Sequence, residues 1–183
     1  MSLPKISLTR QKAGFTLIEL LVAMAVVGLL AGIIAGIAPL ALEKGKRSRA
    51  QAEIAALELA LQSYKDEQGD YPEASVPQAG EAYTTETSAY ISAGNILYGA
   101  LRGGDPNIPP QATPSSPSIP VYYQAKLNHV SSTPPYHFID PYRRPYGYSS
   151  LTQARFNQGL YDLWSLGSKP ENVHQWIKNW TGN

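Results

Sequence analysis

From Leu20 to Leu42 the chain carries no charged residue, and about 20 apolar helical residues are enough to cross the hydrocarbon core of a bilayer. Beyond that run the pattern changes. In "EKGKRSRAQAEIAALELALQSYKDEQGDYP" the apolar residues Ile54, Leu57, Leu61 and Tyr64 recur at spacings of three and four among Ala, Glu, Lys and Gln, which predicts an amphipathic helix. The two segments read as one helical spine, membrane-spanning over 15–42 and amphipathic over 43–70, with Gly69 and Pro72 as its stop. Unbroken from Phe15 to Gln68, such a helix would be about 80 Å long at 1.5 Å per residue. Pro39 has no N–H to donate to the carbonyl of Ala35, so a kink or loosening is expected there.

The remainder, 71–183, reads as a head. Residues 74–135 hold nine of the fifteen prolines and predict mostly loop. They are interrupted by "SAYISAGNILYGALRG", a short helix for which Ser92 is the expected cap. The prolines of "GDPNIPPQATPSSPSIP" forbid helix and central strand, so that segment is expected to be an exposed loop. Over 136–183, "YHFIDPYRRPYGYSS" and "GLYDLWSLGS" alternate large and small residues as short strands do, with turns at "DPYRRP" and at Asn157 to Gly159. Two or three antiparallel strands packed on the spine would bury Ile54, Leu57, Leu61 and several aromatics. The expected class is α+β: a long N-terminal α-helical spine packed against a small antiparallel β-sheet head.

Charge adds direction. Lys5, Arg10 and Lys12 precede the apolar run with no acidic residue among them, which leaves the N-terminus cytoplasmic and sends the head across the membrane. The apolar run is too long for a secretory signal and lacks a small-residue cleavage pattern at its far end. The net charge of +1 and the scattered basic residues point away from nucleic acid as a partner. Lys44, Lys46, Arg47 and Arg49 read as a solvated face at the end of the span. The absence of cysteine excludes disulfides and thiolate metal sites. His129, His137 and His174 have no ligand spacing and read as ordinary surface or loop residues. No nucleophile–base pair, metal cluster or phosphate loop stands out, so an enzyme is not expected.

Three features of the apolar helix call for an explanation. At Gly14-Phe15 a basic polar segment stops and the apolar run starts at once. Glu19 then places a carboxylate inside the run, where ionised groups are costly unless paired and are functional candidates by default. Gly28, Gly32 and Gly36, with Ala31 and Ala35 beside them, lay a stripe of small residues along one helix face, suited to close packing of helix on helix.

"GFTLIE" resembles the processing signature of type IV prepilins and pseudopilins. The resemblance implies a leader over 1–14 removed by a prepilin peptidase after Gly14, N-methylation of the new N-terminal Phe15, and pairing of Glu19 with the N-terminal amine of a neighbouring subunit during assembly. Further along, "YKDEQGDYP", "DPYRRPYGYSS", "YDLWSLGS" and "IKNW" resemble, in that order, the blocks of the G-type major pseudopilins of bacterial type II secretion. Residues 74–135 resemble nothing in that group and are expanded relative to it. The implied role is a structural subunit of a periplasmic filament that helps drive folded proteins out of the cell. Its implied partners are further copies through the N-terminal helix, other pseudopilins and an inner-membrane assembly platform. Before assembly it would sit in the inner membrane as a single-pass protein with a periplasmic head. A type IV pilus or DNA-uptake filament shares the same N-terminal device, and a membrane-anchored binding module or enzyme is the alternative from another class.

The resemblance also implies calcium in the loop after "SLG". Calcium takes about six to eight oxygens, usually with several carboxylates. In "SLGSKPENVHQW", Lys169 and Pro170 stand where an acidic residue and a glycine are expected, leaving Ser168, Glu171, Asn172 and the backbone oxygen of Leu166 as candidate ligands. Bound calcium is therefore disfavoured, and burial of Trp164, Trp176 and Trp180 is the expected substitute for it.

Overall fold

The computed structural model describes residues 14–80, 82–112 and 120–181; the first thirteen residues of the expected leader and the centre of the proline-rich loop lie outside the described residues. The chain divides into two compact units, Met1–Leu42 and Glu43–Asn183. One helix, α1 (Leu17–Gln68), contributes to both. Helical backbone continues on both sides of Pro39, so the proline costs the ladder one donor without ending the element.

In the second unit α1 buries Ala50, Glu53, Ile54, Leu57, Ala60 and Leu61, the three-and-four spacing that places residues on one helix face. The helix ends where expected. Gly69 adopts a φ of +91° and its N–H bonds the carbonyl of Lys65 at 2.8 Å, a left-handed stop that glycine reaches without a Cβ clash.

A small hairpin, β1 (Gln78–Ala79) with β2 (Ala82–Tyr83), leads into α2 (Thr87–Leu101). The N-cap position of α2 is Glu86, so Ser92 lies inside the helix and does not cap it. The apolar stripe explains the difference: Tyr90 is as fully buried as Ala93, Leu97 and Leu101, and packing it requires the helix to start a turn earlier. Past α2, buried Arg102 donates to the carbonyls of Pro110 (2.8 Å) and Ala112 (3.2 Å), fastening the described start of the proline-rich loop.

The sheet is antiparallel in the order β3 (Gly147–Ser150), β4 (Tyr161–Ser165), β5 (Ile177–Lys178). Gly147 pairs with Trp164, and Trp164 in turn with Lys178. Asp162, fully buried, organises the β3–β4 connection by accepting the Tyr83 hydroxyl (2.6 Å) and the backbone N–H groups of Arg155, Phe156 and Asn157 (2.8 Å each). Asp140 does the same for the "DPYRRP" turn, accepting N–H from Tyr142 and Arg144 and the hydroxyl of Ser165 at 2.6 Å. A buried carboxylate is stable only when its oxygens are occupied in this way.

The core is aromatic and centred on Trp164. Its indole stacks on Tyr83 at 4.1 Å, lies parallel to Trp176 at 6.2 Å, and donates its N–H to the Tyr90 hydroxyl at 2.9 Å. The histidines, read as ordinary surface or loop residues, differ in exposure. His137 is buried with Nδ1 2.9 Å from the carbonyl of Pro135, and His129 lies 3.2 Å from Glu53 on α1. Only His174 is exposed.

Candidate functional site: the N-terminal segment and the loop after β4

Gly14 and Phe15 precede α1, and Phe15 is 84% exposed. The scissile position of the sequence signature is thus accessible. Immediately after it, Thr16 donates both its backbone N–H (2.9 Å) and its hydroxyl (2.8 Å) to Glu19 Oε2, while the Glu19 N–H reaches back to Thr16 Oγ1 at 3.3 Å. This is a capping box, in which the first turn satisfies donors that have no partner inside the helix and sets a carboxylate at the positive end of its dipole. Sequence reasoning missed this local role of Glu19, although the T-x-x-E spacing that signals it is visible in "TLIE". Within its own chain the carboxylate is already partnered.

Every residue from Gly14 to Leu42 is exposed. Gly28, Gly32 and Gly36 have open space where a Cβ would sit, so the stripe of small residues is a free surface of this unit. Leaving Leu, Ile and Val side chains in water costs about 25 cal/mol per Å² of apolar surface. The helix is long and apolar enough to cross a membrane, and it indicates membrane anchoring.

The loop after β4 is the second candidate. Leu166 is buried and Ser168 and Glu171 are exposed. The Ser168 hydroxyl donates to Glu43 Oε1 at 2.9 Å, and Asn172 Oδ1 accepts the N–H of His174 at 3.2 Å. Among the described residues no group of three or more His, Cys, Asp or Glu side chains is placed to hold a metal ion. Trp164, Trp176 and Trp180 are all buried, and the Trp176 indole donates to the carbonyl of Pro170 at 2.9 Å, as the burial reading expects. The sequence did not point to the α1 side chains that meet this loop. Arg47 donates to the carbonyl of Gln175 at 2.8 Å, and Glu43 also accepts the Tyr142 hydroxyl at 2.9 Å. Burial first, and then that carboxylate, push the Tyr142 hydroxyl up to about 12.

An open cleft of about 590 Å³ is lined by Asp70, Leu151, Thr152, Ala154, Gln158 and Gly159.

Residues 9–35 match the family model of the prokaryotic N-terminal methylation motif. No curated protein and no solved structure matches the chain. The motif spans the Gly14-Phe15 junction, the capping box and most of the apolar run, and it indicates a type IV pilin-like subunit of a pilus or pseudopilus. Proteins of that kind are structural, not enzymatic.

Proposed function

We propose that this protein is a subunit of the periplasmic pseudopilus of a type II secretion system, cut after Gly14, methylated at Phe15 and assembled through its apolar helix. The observation that carries the reading is the methylation motif set on an exposed apolar helix that leads into a folded head. The C-terminal blocks that resemble G-type pseudopilins support secretion over a pilus. Removal of the leader would take away Lys5, Arg10 and Lys12, leaving twelve basic side chains against fourteen acidic ones and a side-chain charge of −2.

In this reading Glu19 has two successive partners. In the free subunit it caps its own helix through Thr16; on assembly it meets the new amine of a neighbouring Phe15. An unpaired amine in hydrocarbon is costly, so a helix inserted in the wrong axial register is penalised. The stripe of Gly28, Gly32 and Gly36 lets backbones approach during packing.

The test has two stages. Co-expression with a prepilin peptidase followed by intact-mass measurement should show a chain starting at Phe15 and carrying one added methyl, and Glu19→Ala should be processed yet absent from filaments. A chain still starting at Met1 rejects the pilin-like reading. Deleting the gene in its host then separates the systems: loss of specific exoproteins with normal pili supports type II secretion, whereas loss of pili or DNA uptake with an intact secretome assigns it to a pilus.

A further inference from the structure

The loop over 166–176 has the position of a calcium loop in the resembling proteins, but two backbone carbonyls at its neck here are occupied by the protein's own cations. Its neck closes where Gly167, at a φ of +63°, lies beside Gln175: a Cβ on Gly167 would stand 3.3 Å from the Gln175 carbonyl oxygen. Both carbonyls at this neck accept guanidinium hydrogen bonds, Gly167 from Arg144 Nη1 at 3.2 Å and Gln175 from Arg47 Nη1 at 2.8 Å. The Gly167 N–H donates to Ser165 Oγ at 3.1 Å, which itself donates to Asp140. Glu43 is engaged by Ser168 and Tyr142, and Asp140 by Ser165 and two backbone N–H groups. Lys169 adds a further positive charge within the loop.

We infer that the loop over 166–176 is closed by Arg47 and Arg144 in place of a divalent cation, so that the head holds this loop without calcium. A cation at the neck would have to displace two guanidinium groups from its carbonyls and then stand beside them, losing charge-assisted hydrogen bonds and meeting like charge. The same contacts give the loop a second purpose that a metal would not supply. Arg47 and Glu43 lie on α1, so the clamp ties the loop directly to the helical segment of the head. This inference stands whether the filament is a pseudopilus or a pilus.

The test uses the full chain in detergent micelles. Hydrogen exchange of residues 166–176 and the tryptophan-detected thermal midpoint are measured with excess EGTA and with millimolar calcium, for the natural chain and for Arg47→Ala with Arg144→Ala. The natural chain should show the same loop protection and the same midpoint in both solutions. The double variant should exchange faster over this loop and melt lower. If it does not fold, Arg47→Gln alone carries the same loop readout. Protection or a midpoint that rises with calcium in the natural chain overturns the inference, as does unchanged loop exchange on removal of the guanidinium groups.

Discussion

Gly147 faces Trp164 across the β3–β4 pair, and a Cβ built on it would overlap the indole ring. Trp164 is fully buried between Tyr83 and Trp176, so the ring has nowhere to move. Gly147→Ala should therefore cost on the order of 3 kcal/mol, the upper range for overpacking a filled core, and should red-shift tryptophan emission; chemical denaturation followed by fluorescence measures both. Nothing in "RPYGYSS" marks this glycine as different from one in a turn, because its requirement comes from a partner 17 positions away in the chain. Glu19 is the opposite case: its capping partner is three residues away, and the whole device is written in four consecutive letters.

At the scale of the element, α1 shows how far periodicity carries. Ile54, Leu57 and Leu61 were legible as one face and are buried as one face. Leu57 is 1% exposed and Leu59 72% exposed, so these two leucines, two positions apart on opposite faces of the helix, should respond differently. Leu57→Ala is expected to destabilise the head by about 2–5 kcal/mol, whereas Leu59→Ala should change it by no more than about 0.5 kcal/mol; urea melts of the two variants under identical conditions check the contrast. Glu53 shares the buried face yet could not be read as a core residue. Its burial is tolerated because Arg49 (2.8 Å), His129 (3.2 Å) and the Tyr146 hydroxyl (2.8 Å) converge on the carboxylate, and two of those partners arrive from distant loops. The start of α2 is decided for a related reason by the burial of Tyr90 against Trp164 and not by the local serine.

For the molecule as a whole, the buried histidines couple stability to pH. Burial lowers the affinity of His137 for a proton, against a smaller opposing effect of the Pro135 carbonyl, and burial likewise lowers that of His129 despite the Glu53 carboxylate. The unfolded chain, with histidines near 6.5, then takes up protons before the folded one does. Stability from these groups is fully present above about pH 6.5 and is lost as pH falls through that value. Asp140, whose carboxyl is raised by burial, acts in the opposite sense and only at lower pH, in the carboxylate range. The thermal midpoint should thus fall between about pH 7.5 and about pH 5.5, and His137→Asn, which keeps a donor for Pro135 but cannot be protonated, should flatten that slope.

The sequence by itself determined the apolar anchor, the processing signature, the amphipathic continuation of the helix, its stop at Gly69 and the antiparallel character of the C-terminal strands. Each of these depends on residues within a few positions of one another, where periodicity, turn chemistry and steric limits act directly. Only the tertiary structure decided which polar groups are buried and who satisfies them: Asp162 under Tyr83, Glu53 under His129 and Tyr146, and the loop after β4 under Arg47 and Arg144. Those pairings join residues dozens of positions apart, and the demand that every buried polar group find a partner acts only once the chain has folded them together.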